Sequence, residues 1–255
     1  MSIREAVLDD GRVVVVKRGH APGAAAAEAA GLRWLAAADA VAVPVVHSHD
    51  DEQLVLDRVP AGRPSAAAAE RFGRGLARLH AAGAPAFGSA PPGGPADAWI
   101  GLAPMANVPE EDWASWYAAH RVLPYVRRAV DAGTFGPAEA AVFERACARF
   151  PALDEPPSRL HGDLWNGNVV WDGEDGWLID PAAHGGHRET DLAMLQLFGC
   201  PHLDRVLAAY QEEAPLAGGW TERIGLHQLF PLLVHTVLFG RSYAGQALAA
   251  ARSLR

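Results

Sequence analysis

The sequence predicts an α+β protein of two unequal lobes, in which a small antiparallel β-sheet with one helix precedes a mainly helical part that carries a β-hairpin. Three observations lead to this fold class. A β-branched run lies within residues 11–18, helix-forming sequence dominates from Ala66 onward, and two short apolar runs flank a turn-rich segment at 172–176. With 255 residues, half of them apolar, the chain can bury a sizeable core.

The first 59 residues predict one strand, one helix and two further strands. Residues 11–18 read G-R-V-V-V-V-K-R, a pattern typical of a buried strand. The alanine-rich residues 24–38 favour a helix. Residues 41–47 and 53–59 predict two strands joined by the polar turn between them. We therefore place the boundary of an N-terminal lobe at residue 59.

The rest of the chain, residues 60–255, predicts a second and larger lobe. A helix is expected at 66–82, followed by a long Pro- and Gly-rich loop at 83–109. The acidic residues at 110–112 begin the next helix well, because carboxylates favour the positive end of the helix dipole. Its aromatic side chains are expected to pack in the core: Trp113, Trp116 and Tyr117. Another helix follows Pro137.

Composition excludes several classes of protein. A net charge of -8, from 22 basic and 30 acidic residues, argues against a general affinity for nucleic acid or anionic membranes. The apolar stretch 229–239 is too short to span a membrane. Two isolated cysteines, Cys147 and Cys200, offer neither a disulfide framework nor a zinc module. We expect a cytoplasmic protein.

The predicted hairpin gathers polar residues at its open end. Asn168 precedes the first strand and Asp180 follows the second, while Asp163 lies five residues before Asn168. A carboxylate and an amide oxygen suit Mg²⁺, and the second carboxylate can orient a hydroxyl nucleophile and accept its proton. Kinase-like folds use this combination for phosphoryl transfer: the pattern Asp-x₄-Asn, followed by a further Asp that binds the metal.

Lys17 is the only lysine among the 22 basic residues, which suggests a position where arginine will not serve. In a kinase-like lobe such a strand lysine contacts the ATP phosphates and pairs with a helix glutamate, here Glu28. The strand ending near residue 56 would then be the hinge, with the backbone of Asp57 and Val59 facing adenine. The sequence lacks the G-K-[ST] of a Walker A loop.

These residues lie in motifs that resemble the fructosamine kinase (ketosamine 3-kinase) family, within the protein-kinase-like and aminoglycoside-phosphotransferase-like fold. The motifs are H-G-D-L-W-N-G-N (161–168), I-D-P (179–181), G-H-R-E-T-D-L-A-M (186–194) and L-F-G (197–199). Weaker matches, such as R-L-H (78–80) and L-F-G-R-S-Y (238–243), extend along nearly the whole chain. The resemblance implies ATP-dependent phosphorylation of the sugar 3-hydroxyl of ketosamines, which initiates deglycation.

The resemblance also implies roles for individual residues. Asp163 would be the catalytic base, Asn168 and Asp180 would bind Mg²⁺, and Lys17 with Glu28 would hold the ATP phosphates.

The acceptor side is less defined by the motifs. Four residues would line or support the sugar side: Trp165, His187, Arg188 and Glu189. For Arg188 and Glu189 a structural ion pair is the alternative. Trp220 is either a lid over the sugar or a packing residue, and Asp191 is most simply the N-cap of a helix at 192–198.

The chain departs from the family pattern at its start and in the long loop, and also at Ala25 and His184, where the family has an aromatic residue and a tyrosine. Residues 1–6 match the middle of a Gly- and Ser-rich loop, so the first strand and part of that loop are missing. Either the start site has been placed too far downstream, or the lobe lacks its phosphate-covering hairpin. Ala98 and Met105 replace polar residues in the long loop that we expect to face the substrate, which affects the identity of the ketosamine more than the chemistry.

Two alternatives to a ketosamine kinase remain at this point. A phosphotransferase of the same fold could act on an aminoglycoside, a choline-like molecule or another hydroxylated amine. A non-catalytic pseudokinase is the other possibility, and the missing first strand is its motivation.

Overall fold

The computed structural model describes residues 3–254, and these begin with a four-stranded antiparallel sheet. Its strands are β1 (Ile3–Val7), β2 (Val13–Arg18), β3 (Val46–His49) and β4 (Gln53–Asp57), in the spatial order β1-β2-β4-β3. The small antiparallel sheet predicted from the sequence is therefore present, with one more strand than expected.

Strand β1 corrects the prediction that residues 1–6 belong to a loop. Ile3 pairs with Lys17 and Val7 with Val13, so residues 3–18 form a β-hairpin. Its turn is closed by the Leu8 N–H, which donates to the Arg12 carbonyl at 2.9 Å. The expectation was wrong because β1 is an edge strand that is held by hydrogen bonds to β2. The sequence of this short segment alone does not show that it pairs. Met1 and Ser2 lie outside the described residues.

The strand predicted at 41–47 begins only at Val46. Upstream of it, the Ala42 carbonyl accepts a hydrogen bond from the Leu178 N–H at 2.9 Å, which joins this segment to the second lobe. Ala42 is thus paired with a distant hairpin, whereas the Val45 carbonyl accepts a hydrogen bond from the Asp57 N–H of β4 at 3.0 Å.

A single helix, α1 (Ala24–Ala36), packs on one face of the sheet. Leu54 and Leu56 of β4 lie opposite Lys17 and Val15 of β2, and they share a small core with Leu32 of α1. Directly paired residues of antiparallel strands share a face of the sheet. Lys17 therefore faces the same side as α1.

Helices build most of the remaining chain, as predicted. Eight follow: α2 (Ala66–Ala81), α3 (Trp113–Trp116), α4 (Leu123–Asp131), α5 (Pro137–Cys147), α6 (Glu189–Phe198), α7 (Leu203–Glu213), α8 (Trp220–Phe239) and α9 (Arg241–Ser253). A π-helical turn, Tyr117–Val122, joins α3 to α4. The aromatic residues predicted for the core, Trp113, Trp116 and Tyr117, are each only 1% exposed, which confirms that prediction.

The long loop predicted at 83–109 contains a β-hairpin that sequence reasoning missed. Its strands are β5 (Asp97–Ile100) and β6 (Ala103–Ala106). Each has only four residues and Pro104 interrupts the second, so the alternating pattern is too short to identify. The hairpin contacts α1 through β5 and α8 through β6, and it therefore spans the two lobes.

Two further strand pairs complete the fold. Strands β7 (Ser158–Leu160) and β10 (His184–Gly186) pair antiparallel, and β8 (Val169–Trp171) and β9 (Gly176–Leu178) form the predicted hairpin. Cys147 and Cys200 are free thiols, and burial raises the pKa of each to about 12. No helix between residues 3 and 254 combines the length and apolar character needed to cross a membrane.

Candidate active site

The β8–β9 hairpin brings Asn168 and Asp180 together as the sequence predicts. Val169 pairs with Leu178, so the residues just before β8 and just after β9 are neighbours. The Ile179 N–H donates to the Asn168 carbonyl at 3.1 Å and extends the pairing to the open end. Asn168 closes a 3₁₀ turn, Asn166–Asn168, which turns the chain from the loop into β8.

Asp163 is tied to Asn168 by two hydrogen bonds. The Asn168 Nδ2 donates to the Asp163 carbonyl at 2.8 Å and to its Oδ2 at 2.9 Å. Burial raises the pKa of Asp163 to about 7, against the opposing effect of the Asn168 hydrogen bond. A carboxylate with this pKa can accept a proton near neutral pH. Because the amide group of Asn168 uses its nitrogen on Asp163, its oxygen remains free for another partner.

Asp180 has a left-handed backbone, with φ of 54°, which is uncommon for a residue other than glycine. Its Oδ1 lies 2.6 Å from Lys17 Nζ, and the same nitrogen lies 2.5 Å from Glu28 Oε1. Lys17 thus bridges strand β2, helix α1 and the end of β9. Burial alone would lower the pKa of Lys17, but the two carboxylates outweigh it and the net shift is upward, so the ammonium stays charged.

All of these groups line one cleft between the two lobes. Its volume is about 280 Å³. Six of the residues predicted for the site line it: Lys17, Glu28, Asp163, Trp165, Asn168 and Asp180. The Trp165 ring lies over Gly167 so closely that a Cβ at that position would stand 2.3 Å from the indole. Glycine is therefore required there for the ring to face the cleft.

The predicted hinge residues, Asp57 and Val59, line a second cleft at the other end of β2. They share it with Val13 of β2 and Trp177 of β9. Asp57 Oδ1 also lies 2.6 Å from the imidazole Nε2 of His47. The structure thus separates these two residues from the Lys17 cleft by the length of β2.

Asp191 plays a part that sequence reasoning assigned wrongly. It lies inside α6, which begins at Glu189, so it does not cap a helix at 192–198. Its two carboxylate oxygens accept hydrogen bonds from the backbone N–H groups of His161 and Gly162, at 2.8 and 2.9 Å. His80 Nε2 lies 3.2 Å from the same carboxylate. Asp191 therefore fixes the backbone immediately before Asp163.

His187, Arg188 and Glu189 lie under the cleft and do not line it. Arg188 does not pair with Glu189, which corrects the alternative of an ion pair between them. It forms a two-pronged pair with Glu155, at 2.7 and 2.8 Å, and Glu189 forms another with Arg223, at 2.9 and 2.5 Å. Of the three, His187 and Glu189 are nearly inaccessible to solvent. Their polar contacts are with neighbouring protein groups and not with the cleft.

The same region offers a cluster of potential metal ligands. Ligand atoms of His187, Glu189 and His227 lie within 4.8 Å of one another. However, Arg223 already contacts both oxygens of Glu189, and the two imidazole rings stack at 4.9 Å with an interplanar angle of 28°. Because the Arg223 guanidinium occupies both oxygens of Glu189, we interpret this cluster as an ion-paired structural element.

Trp220 begins α8 and is not among the residues that line the cleft, so the structure does not place it as a lid. Met105 is 2% exposed in the core of the second lobe, which corrects the expectation that it faces the substrate. Ala98, its partner across the β5–β6 hairpin, does line the cleft.

The architecture defines the class of protein. Over 99% of its length the chain superimposes on the gentamicin complex of an aminoglycoside phosphotransferase, with a TM-score of 0.62 at 13% identity. That likeness establishes a kinase-like bilobal phosphotransferase fold.

Closer relatives establish the family. The profile of the fructosamine kinase family matches residues 8–254. A probable ketoamine kinase from Synechocystis is 36% identical over 230 residues, which cover 87% of this chain and 75% of the relative. The crystal structure of a provisionally named fructosamine-3-kinase from Thermobifida fusca matches with a TM-score of 0.89 at 45% identity, covering all of this chain and 93% of that one. The chain belongs to the fructosamine kinase family and is an ATP-dependent phosphotransferase.

Proposed function

We propose that this protein transfers the γ-phosphoryl group of ATP to the sugar 3-hydroxyl of a ketosamine, the rearranged adduct of a sugar and an amine. The observation that carries the proposal is the convergence of Lys17, Asp163, Asn168 and Asp180 on one cleft. The family membership supports a ketosamine as the acceptor.

Asp163 is the base in this proposal. The buried carboxylate, with a pKa of about 7, accepts the proton of the sugar hydroxyl as that oxygen attacks phosphorus. Asn168 holds the carboxylate in place through Oδ2, and Asp191 holds the backbone before it. The Asp163 Oδ1 is then the oxygen left to meet the acceptor.

Asn168 and Asp180 would hold Mg²⁺. The donor set fits this ion, because an amide oxygen and a carboxylate are hard ligands and neither is fully used. The Asn168 oxygen is free, and Asp180 contacts Lys17 through one oxygen only. When bound, the ion would neutralise charge on the transferring phosphoryl group.

Lys17 would contact the α- and β-phosphates, with Glu28 holding its position. The proposed adenine end lies toward Asp57 and Val59, along the face of β2 that carries Val13, Val15 and Lys17. Val13 is 43% exposed on that face, which leaves an apolar surface for a base to cover.

The test is Mg²⁺-ATP turnover with fructosyl-lysine and ribulosyl-lysine, comparing the wild type with Asp163→Asn. Loss of a general base lowers turnover by about 10²–10⁴-fold, while nucleotide binding persists. Asp204→Asn, on the exposed start of α7, is the matched control and should keep full turnover. Full turnover in Asp163→Asn would remove that residue from the chemistry. Turnover of aminoglycosides but not ketosamines would overturn the proposed acceptor.

A further inference from the structure

Two large apolar side chains remain exposed at the mouth of the catalytic cleft. Leu102, at the tip of the β5–β6 hairpin, is 60% exposed, and Trp165 is 40% exposed. Both line the same cleft as Asp163. The aliphatic side chain of Leu102 cannot hydrogen-bond to a phosphate or a sugar hydroxyl, so this part of the entrance suits a less polar part of the acceptor.

A strip of aromatic side chains runs from Trp165 to Phe239, and the hairpin tip that carries Leu102 lies next to the end of α8. The hairpin tip touches α8, since a Cβ placed on Gly101 would lie 3.7 Å from Leu238 Cδ1. The next residue, Phe239, is 59% exposed, and its ring centroid lies 5.5 Å from that of His235.

Aromatic contacts complete the strip as far as the cleft. The His235 ring lies 4.6 Å from Phe198, and Phe198 meets Trp165 edge-on at 6.3 Å. Tyr243 packs against His235 at 4.9 Å. We call these residues the apolar rim: Leu102, Trp165, Phe198, His235, Phe239 and Tyr243.

The rim carries no formal charge. The His235 Nδ1–H donates to the Pro231 carbonyl at 2.8 Å, and burial lowers the pKa of the ring, so His235 is neutral at pH 7. Arg241, which begins α9 beside the rim, is held by Glu139 and by the Thr134 carbonyl. Arg18, which lines the same cleft, pairs with Glu52 at 3.5 Å. A carboxylate lying on the rim would therefore lose water without meeting a cation among the rim residues.

We propose that the apolar rim binds the substituent on the amine nitrogen of the ketosamine, with Leu102 and Phe239 determining which substituents are accepted. This inference rests on the proposed function. When the sugar hydroxyl reaches Asp163, the amine substituent leaves the cleft across the rim. An alkyl chain there covers exposed apolar surface, whereas a carboxylate next to the nitrogen is desolvated.

The experiment compares fructosyl adducts of methylamine, butylamine and glycine as acceptors. For the wild type, kcat/KM should rise about tenfold from the methylamine to the butylamine adduct, as expected for partial burial of three methylenes. The glycine adduct should be the poorest of the three. Phe239→Ala and Leu102→Ala should each reduce the ratio of kcat/KM for the butyl and methyl adducts at least threefold. A change of about that size corresponds to losing the burial of one methylene group.

Two further variants sharpen the test. Phe239→Arg should raise the glycine-to-butyl ratio, because it supplies the cation that the carboxylate lacks. Val45→Ala removes an apolar side chain that is 56% exposed and outside the rim, and it should leave all ratios unchanged.

The outcomes separate the inference from the proposed function. If no adduct is phosphorylated, the proposed function fails and the inference fails with it. If the methylamine adduct is phosphorylated but the butyl-to-methyl ratio is near one, the function stands and the rim inference is overturned. Glycated proteins serve as a fourth acceptor. If Phe239→Ala lowers the turnover of glycated proteins but not of the three small adducts, the rim is a protein-docking surface and the inference is also overturned.

Discussion

Two clusters of buried charge, one in the cleft and one outside its lining, differ in how completely their charges are satisfied. In the cleft cluster, Lys17 touches one oxygen of Glu28 and one of Asp180, whose side chain remains 33% exposed. The buried cluster includes His187 and His227. Within it, Arg188 donates hydrogen bonds to both oxygens of Glu155. Arg223 does the same with Glu189.

The difference indicates which of the two clusters has capacity left to bind a ligand. A carboxylate that is held by a two-pronged arginine has little capacity left for a ligand. Asp180 and Asn168 instead keep oxygens that face a cavity. The motif at 161–168 carries one charged side chain and the motif at 186–194 carries three. The number of charges therefore does not identify the candidate site, and spare hydrogen-bonding capacity beside a cavity is the property that distinguishes the two motifs.

The largest effect should come from breaking the buried cluster. Glu189→Ala leaves the Arg223 guanidinium without its partner in a site where Glu189 is only 3% exposed. Removing one member of a buried ion pair costs about 3–5 kcal/mol of unfolding free energy. Urea unfolding measures it, and the double variant Glu189→Ala/Arg223→Ala should recover part of the loss. A single variant as stable as the wild type would contradict the structural role.

The cleft cluster should respond differently, because breaking it should remove activity in addition to lowering stability. Lys17→Met removes the cation expected at the phosphates and should lower turnover by at least ~100-fold. Its stability should fall as well, because the side chains of Lys17 and Glu28 are only 5% and 18% exposed and the substitution leaves Glu28 without its cation. Lys17→Arg keeps the charge but should not restore turnover, since a planar guanidinium cannot occupy the same position between two carboxylates. Full turnover in Lys17→Arg would show that only the positive charge at this position matters.

Acid should weaken the second lobe while Lys17 stays charged. Burial lowers the pKa of His184 to about 3 and that of His187 to about 2. The unfolded chain binds protons at these residues below pH 6.5, and the folded chain does not. Stability is therefore full above pH 6.5 and falls as pH decreases, by up to about 1.4 kcal/mol per pH unit for each histidine. Urea unfolding between pH 7 and 4 tests this, and His187→Gln should reduce the slope. An unchanged slope would show that His187 is protonated in the folded protein.

The smallest effect should come from an exposed ion pair. Arg74 and Glu212 lie 3.1 Å apart on the surface of α2 and α7, with side chains 37% and 65% exposed. Arg74→Ala should cost less than about 1 kcal/mol, because solvent already stabilises both charges. Thermal unfolding provides the measurement. A cost near that of Glu189→Ala would mean that pairing, and not burial, determines the difference between the two clusters.

Local residues predicted the candidate site well. Asp163, Asn168 and Asp180 lie within 18 residues of one another, and a short hairpin turn was enough to expect their convergence. Lys17 and Glu28 followed from the rarity of lysine and the position of one acidic residue in a helix. The roles of all five stay predictions until turnover is measured.

Residues that act through distant partners were not predictable. The residues around Asp191 predict that it caps a helix. In the structure it instead accepts hydrogen bonds from backbone groups about thirty positions earlier. Strand β1 and the β5–β6 hairpin depend on pairing between segments too short to show a period of their own.

The amino-acid sequence by itself determined the fold class, most of the helices and the catalytic hairpin, because these follow from propensity, turn chemistry and contacts between near neighbours. Only the tertiary structure decided which charged side chains are saturated and which keep a free oxygen at the cleft. It also decided that Leu102 and Phe239, 137 positions apart, belong to one apolar rim. Such properties depend on the packing of distant segments, and periodicity within a segment carries no information about its partners.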